Sequence, residues 1–121
     1  MPKFLPFIDI VNIMKIGFIG TGKIASSVII GICNSKIQFT KIWISPRNKK
    51  IAKDLKKKFN KIIIAKNNQE IADNCTWVFL SVTPTVGDKI IKNLKFRSNQ
   101  TIISFISTTT LAQLKKAIKV K

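Results

Sequence analysis

The sequence predicts an α/β fold in which a doubly wound parallel sheet of about five strands lies between two layers of helices. Short apolar runs alternate with helical patterns along the 121-residue chain, as expected for consecutive βαβ units. A turn with two glycines joins the first apolar run to the first helical pattern. Because βαβ crossovers are right-handed and such a turn belongs to the first strand, we expect the strand order 3-2-1-4-5.

Each strand is predicted from an apolar run that ends at polar or turn-forming residues. The five runs are Lys15–Ile19, Lys41–Ser45, Lys61–Ala65, Trp77–Val82 and Thr101–Ile106. The fourth run is the most continuously apolar, so we expect it to be a central strand that is buried on both faces.

Five segments between and after these runs have helical patterns: Lys23–Cys33, Lys49–Phe59, Asn67–Asn74, Thr85–Leu94 and Leu111–Ile118. In the first of them, Ile24, Val28 and Ile32 form an apolar stripe at helical spacing. Asn48 precedes the second helix, and either Thr109 or Thr110 is expected to cap the last one.

The glycine turn predicts a binding site for a dinucleotide. Gly20, Gly22 and Ala25 form the pattern G-x-G-x-x-A between a strand and a helix, which is typical of Rossmann-like folds. Gly20 allows a tight turn, Gly22 lets a diphosphate approach the backbone, and Ala25 lets the helix lie close to the strand. The ligand cleft is then expected at the carboxyl ends of the first and fourth strands. The alternative is a turn that joins strand and helix without binding a ligand.

The residues after the second strand favour NADP over NAD. NAD-binding domains place Asp or Glu there to bind the ribose hydroxyls, whereas this chain has Ser45, Pro46, Arg47, Asn48 and Lys49. A serine hydroxyl and an arginine both suit the extra phosphate of NADP, and Lys49 adds positive charge. We therefore expect NADPH to be preferred over NADH, unless Arg47 and Lys49 are ordinary surface charges.

The formal net charge of +17 indicates weak, salt-sensitive attraction to polyanions and no specific nucleic-acid partner. Of the 22 basic residues, only Arg47 and Arg97 are arginines and the other 20 are lysines. Specific readers of nucleic acids favour arginine, because its planar group makes bidentate contacts with bases.

Several functional classes are excluded by composition. The chain has no histidine and only two cysteines, Cys33 and Cys75, which stand far apart among apolar neighbours. A zinc site and a histidine-based catalytic triad or base are therefore not expected, and the cysteines are interpreted as reduced thiols. No apolar run is long enough to span a membrane, and the N-terminus lacks a signal-peptide cleavage site. These features predict a cytoplasmic protein with no membrane partner.

The chain resembles the N-terminal cofactor domain of pyrroline-5-carboxylate reductases. The resemblance lies in Met14–Ala25 with the glycine turn, in Ser45-Pro46-Arg47, in Val78–Pro84, and in Thr101–Ser107 with the helix that follows. It extends from Met14 to about Ile118. Residues 14–121 are accordingly interpreted as a dinucleotide-binding domain, Met14 as the natural start, and residues 1–13 as an extension.

The resemblance implies an NADPH-dependent reduction of 1-pyrroline-5-carboxylate to proline. It implies that the first turn holds the diphosphate, Ser45 reaches the adenosine phosphate, Asn68 contacts the adenosine end, and a loop after the fourth strand borders the nicotinamide. On this chain the turn is Ile19, Gly20, Thr21, Gly22, Lys23 and Ile24, and the loop is Ser81, Val82, Thr83 and Pro84.

The chain departs from the family in two places. Thr83 replaces a lysine that precedes the loop proline, and Ser107-Thr108 replaces an Ala-Gly pair. In the family, a further helical C-terminal domain supplies the substrate site and the dimer interface. A small-molecule substrate and a homo-oligomer are thus implied only through that domain, and we expect residues 1–121 alone to bind NADPH with little or no turnover. No catalytic residue and no metal ligand is predicted.

Two other functions stay open from the sequence. The chain is also compatible with the cofactor domain of another reductase, such as a deazaflavin-dependent NADP oxidoreductase, because the N-terminal domains of these enzymes look alike. A non-catalytic basic domain that binds nucleotides or polyanions is the third interpretation, and it rests on the charge alone.

Overall fold

A computed structural model describes residues 14–106 and 110–120 of the chain. Its main sheet contains five parallel strands: β1 (Lys15–Ile19), β2 (Lys41–Ile44), β3 (Ile62–Ile64), β4 (Trp77–Leu80) and β6 (Thr101–Ser104). Their order across the sheet is β3-β2-β1-β4-β6. This confirms the predicted doubly wound topology. The chain adds β2 and β3 on one side of β1, then crosses over and adds β4 and β6 on the other side.

Two layers of helices cover the sheet. The helices are α1 (Lys23–Cys33), α2 (Lys49–Lys58), α3 (Asn68–Asn74), α4 (Pro84–Lys92) and α5 (Leu111–Ala117). Buried residues of α1 and α2 share one core cluster, and buried residues of α3, α4 and α5 share the other. The predicted elements are confirmed, with ends that differ by two residues or fewer.

A small second sheet was missed from the sequence. β5 (Lys95–Phe96) and β7 (Lys119–Val120) pair in parallel, with Phe96 opposite Val120. Strands of two residues are too short for alternation to be recognised. Because β5 precedes it, the outer strand of the main sheet is the sixth strand in chain order rather than the fifth.

Aromatic rings connect the central strands on the face covered by α1 and α2. Phe18 on β1 and Phe79 on β4 are register partners, and their rings stack with centroids 4.6 Å apart. Phe105, just after β6, contacts Phe79 at a centroid distance of 5.6 Å. Such contacts add about 0.5–1.5 kcal/mol per pair beyond simple burial. The three rings therefore hold the middle of the sheet together up to its carboxyl edge.

Strand β4 is buried on both faces, as predicted. Val78 and Leu80 lie in the core under α3, α4 and α5, whereas Phe79 lies in the core under α1 and α2. Only the first residue of the strand, Trp77, is exposed. The chain that follows β4 therefore begins at the middle of the sheet, next to the end of β1.

The predicted apolar stripe on α1 is correct for Val28 and Ile32, which pack partly buried against the core, and wrong for Ile24. Ala25 and Ile29 are fully buried, whereas the side chain of Ile24 is 60% exposed. The small Ala25 allows the helix to pack closely on β1, and this close packing turns Ile24 outward. The periodicity of Ile24, Val28 and Ile32 did not reveal this, because Ala25 and Ile29 form a second apolar row directly beside it.

Side chains cap three of the helices. Asn48 and Asn67 accept hydrogen bonds from the first turns of α2 and α3. Thr110 forms a capping box with Gln113 at the start of α5, which selects Thr110 from the two predicted caps.

Within the ranges 14–106 and 110–120, no helix is both long enough and apolar enough to cross a lipid bilayer.

We predict that the two cysteines differ in their reactivity. Burial raises the pKa of the Cys75 thiol to about 12, and Lys15 and Arg97 offset this only partly. Burial also raises the pKa of the partly exposed Cys33 thiol, against the smaller effect of Lys61. Because the thiolate is the nucleophile, alkylation by iodoacetamide at pH 8.5 should label Cys33 first and leave Cys75 nearly unlabelled until urea unfolds the protein.

The readout is mass spectrometry of the labelled peptides. The variant Cys33→Ser is the control, since it should take up label only in urea. Equal labelling rates for both thiols in the native protein would show that Cys75 is not enclosed as described.

Candidate functional site

The turn after β1 requires glycine at its first position. Gly20 has a backbone φ of +98°, which disfavours residues with a side chain. A Cβ at this position would collide with the carbonyl oxygen of Ser81 and lie 2.7 Å from Cγ1 of Val82. The turn therefore passes directly against the carboxyl end of β4, where only a residue without a side chain fits.

Two serine hydroxyls hold the backbone of Gly20. The Gly20 N–H donates to Oγ of Ser45 at 2.9 Å, and Oγ of Ser81 donates to the Gly20 carbonyl at 3.0 Å. Ser45 follows β2 and Ser81 follows β4, so the strands on both sides of β1 contribute to the turn. Oγ of Ser45 also lies 2.6 Å from Oδ1 of Asn68, the first residue of α3.

The second glycine of the turn leaves the space beside the backbone open. Gly22 is the N-cap of α1, and no side chain accepts a hydrogen bond from the first turn of this helix. A Cβ on Gly22 would meet no atom within 4 Å, so the space beside it is free. Oγ1 of the adjacent Thr21 is buried and has no hydrogen-bond partner in the described structure. The free N–H groups and the positive end of the helix together suit an anionic ligand.

A cavity of about 610 Å³ lies at this turn. Its walls are the ends of β1, β2 and β4 and the starts of the helices that follow them. The lining residues are Gly20, Thr21, Gly22, Arg47, Asn48, Lys49, Ser81, Val82, Thr83 and Val86. This is the cleft predicted at the carboxyl ends of the first and fourth strands.

A second cavity of about 350 Å³ adjoins the first on the side of β6. The two share Gly22, Ser81, Val82 and Thr83, and Lys23, Ile24 and Phe105 complete the second lining. The exposed Ile24 therefore forms part of a cavity wall. Together, the two cavities provide a continuous surface on both sides of the glycine turn.

The charge of the site is positive. Arg47 and Lys49 line the larger cavity and Lys23 lines the smaller one, whereas neither lining includes an aspartate or glutamate. Arg47 and Lys49 are exposed, so their side chains are free to adjust to a ligand. This environment favours a ligand with several phosphate groups.

The remaining predicted site residues lie behind the cavities or beside them. Ile19 and Ala25 are fully buried under the turn, and Ser45 is only 2% exposed. Asn68 is partly exposed and contacts Ser45, while Pro84 is the first residue of α4. Ser107 and Thr108, where the chain departs from the reductase pattern, lie outside the described residues. The structure thus brings eight of the predicted residues, Lys49 included, together in the larger cavity and Lys23 and Ile24 in the smaller one.

Three lining residues were not predicted as part of the site: Asn48, Val86 and Phe105. Asn48 was recognised only as a helix cap. Val86 lies in the first turn of α4, and this position could have been inferred, because the starts of helices after β1, β2 and β4 all meet at the same edge. Phe105 lies at the end of the strand predicted next to the fourth one, so its place beside the site could also have been inferred from the predicted strand order.

Chemically, the arrangement is suited to binding rather than to acid–base catalysis. Neither cavity lining contains a carboxylate, and the chain has no histidine. Within the part of the chain that the structure describes, no three His, Cys, Asp or Glu residues are close enough to hold a metal ion.

A family model described as NADP oxidoreductase coenzyme F420-dependent matches residues 15–108. The chain belongs to this family. The matched region contains the glycine turn, Ser45–Lys49 and the residues that line both cavities. A comparison with curated proteins gives no significant match.

Solved pyrroline-5-carboxylate reductases are similar in structure. The enzyme of Streptococcus pyogenes is 28% identical with a TM-score of 0.71, and the match covers 88% of this chain and 39% of that one. Plasmodium falciparum pyrroline carboxylate reductase, solved with NADP bound, is 23% identical with a TM-score of 0.72 over 88% and 38%. The Coxiella burnetii enzyme is 20% identical with a TM-score of 0.73 over 88% and 40%.

These matches confirm the predicted resemblance and the Rossmann-like α/β fold. The chain spans about two-fifths of the length of these solved structures. The family match adds that this is an oxidoreductase-type domain for NADP.

We predict that the two glycines of the turn differ in what they contribute to stability. Gly20→Ala should lower the free energy of unfolding by about 2–4 kcal/mol, because it adds an unfavourable φ and a collision with the Ser81 carbonyl. Gly22→Ala should change it by less than about 1 kcal/mol, since its Cβ meets open space and only a preferred N-cap residue is lost. Urea denaturation followed by circular dichroism measures both. Similar losses for the two variants would contradict the described geometry.

Proposed function

We propose that this chain is the NADPH-binding domain of a reductase that acts on 1-pyrroline-5-carboxylate. The single observation that carries this proposal is the open space beside Gly22 at the uncapped start of α1, next to the cationic Arg47 and Lys49. A diphosphate requires close approach to backbone N–H groups, and a 2′-phosphate requires a nearby cation. The described residues therefore fit NADP.

Each part of the coenzyme has a region of the site that suits it. The diphosphate would lie on the backbone of Gly20–Lys23, beside the open space at Gly22. The adenosine phosphate would lie against Arg47, with Lys49 beside it. The nicotinamide half would enter the smaller cavity, where Val82, Thr83 and Phe105 provide a mostly apolar wall.

The residues of this chain would bind, orient and shield the coenzyme. NADPH supplies a hydride when it is bound, and the protein determines which face of the ring is presented to a substrate. Val82 and Phe105 would exclude water from one side of the ring, and the positive charges of Arg47 and Lys49 would hold the opposite end in place. No catalytic residue is proposed from this chain.

The similarity to three pyrroline-5-carboxylate reductases supports the choice of substrate. In this proposal, a further domain supplies the pyrroline site and the contact between subunits. The alternative within the same family is a reductase that exchanges hydride between NADP and a deazaflavin, which the description of the family model favours. Assays of the complete gene product with each substrate distinguish these two possibilities.

We predict that NADPH binds at least roughly tenfold more tightly than NADH, because only NADPH carries the phosphate that Arg47 recognises. Arg47→Ala should weaken NADPH binding roughly ten- to a hundredfold and leave NADH binding almost unchanged. Isothermal titration calorimetry of the purified chain with each dinucleotide measures both effects.

Lys50→Ala is the matched control. Lys50 is an exposed cation next to Lys49 on α2 but does not line the cavity, so its removal should leave the NADPH affinity within about twofold. Gly22→Val should remove binding of both dinucleotides by filling the open space. Equal affinities of the unaltered chain for NADPH and NADH would contradict the assignment of Arg47. Binding of single-stranded RNA without binding of either dinucleotide would favour the polyanion-binding alternative.

A further inference from the structure

The hydroxyls of Ser45 and Ser81 occupy positions that the binding of a coenzyme does not by itself explain. Two backbone hydrogen bonds end the pairing of β1 with its neighbours. The Ser45 N–H donates to the Phe18 carbonyl at 3.2 Å, and the Ser81 N–H donates to the Ile19 carbonyl at 2.9 Å. One residue further along, the ladder cannot continue, because the chain turns at Gly20. The two serine hydroxyls bond the N–H and the carbonyl of Gly20 there instead.

The hydrogen of the Ser45 hydroxyl is directed at Asn68. A serine hydroxyl has one donor hydrogen, and phosphate oxygens accept hydrogen bonds but do not donate them. The nearest acceptor to Ser45 Oγ is Oδ1 of Asn68 at 2.6 Å, and the Phe18 carbonyl lies at 3.3 Å. One lone pair of the same oxygen accepts the Gly20 N–H. Since Ser45 is also only 2% exposed, a phosphate would have to displace existing contacts to reach it.

Ser81 holds the other side of the same residue. Its Oγ lies 3.0 Å from the Gly20 carbonyl and 3.2 Å from the Ile19 carbonyl, so its hydrogen also points at the turn. Without these hydroxyls, the polar groups of Gly20 would need water or a different backbone path. Either change would move Thr21 and Gly22, which follow directly in the chain.

We infer that Ser45 and Ser81 are positioning residues that clamp Gly20 from both sides and fix the turn in the shape a diphosphate requires. In this inference, which rests on the proposed function, Asn68 directs the Ser45 hydroxyl by accepting its hydrogen. Ser45 then contributes equally to the binding of every dinucleotide with a diphosphate. Discrimination between NADPH and NADH is left to Arg47 and Lys49.

The test compares dinucleotide affinities in serine variants whose circular dichroism spectra show that they are folded. Ser45→Ala and Ser81→Ala should each weaken the binding of NADPH and of NADH by the same factor, roughly three- to tenfold for one lost hydrogen bond. The double variant should lose less than the product of the two single losses, because both hydroxyls act on one residue. Ser35→Ala is the matched control: its Oγ donates to the Ile32 carbonyl at the opposite edge of the sheet, so affinity should not change.

Three results would overturn the clamp. If Ser45→Ala weakens the binding of NADPH but not that of NADH, Ser45 is a ligand of the adenosine phosphate. If the serine variants lower the melting temperature but leave both affinities unchanged, the hydroxyls are only structural. If the loss of affinity in the double variant equals the product of the losses in the two single variants, the serines do not act through the same residue.

A failure of the proposed function gives a different result. In that case the unaltered chain binds neither dinucleotide, and the clamp is tested by hydrogen exchange of the Gly20 amide. Ser45→Ala should speed up this exchange at least fivefold, because the amide loses its acceptor. An unchanged exchange rate would overturn the clamp without reference to any ligand.

Discussion

The site depends on one steric constraint. The backbone of Gly20 lies so close to the end of β4 that a Cβ on this residue would overlap the Ser81 carbonyl. Because no side chain separates them, the turn after β1 and the strand end at Ser81 are in direct contact. This contact sets the direction in which α1 leaves the sheet. It also places the free space beside Gly22 between the ends of β1, β2 and β4, where the two cavities meet.

The sheet topology explains why the cavities lie at this edge. After β1, the chain moves outward to β2 and β3, then returns across the sheet to β4 and continues to β6. The connections on the two sides of this reversal run over opposite faces, and they leave a crevice between β1 and β4. In this protein the crevice has Arg47 and Lys49 on one side and Val82 and Phe105 on the other, so its two halves differ in polarity.

Much of this architecture could be predicted from the sequence, because apolar runs and the glycine pattern depend on local residues. The helix face of α1 could not, since Ile24 and Ile29 are equally apolar and only contact with β1 decides which is buried. The pairing of β5 with β7 was also hidden, as each strand has two residues and the partners are far apart in the chain. In the site, the glycine pattern of the turn was visible in the sequence, because it lies within six consecutive residues. The hydroxyl network of Ser45, Asn68 and Gly20 became visible only when three separate elements were placed together.

The row of Phe18, Phe79 and Phe105 joins the interior of the domain to the wall of the smaller cavity. A smaller residue at Phe18 would remove the ring that stacks on Phe79, which in turn contacts Phe105 in the wall of the smaller cavity. The shape of that cavity therefore depends on a side chain in the centre of the sheet that lines neither cavity itself.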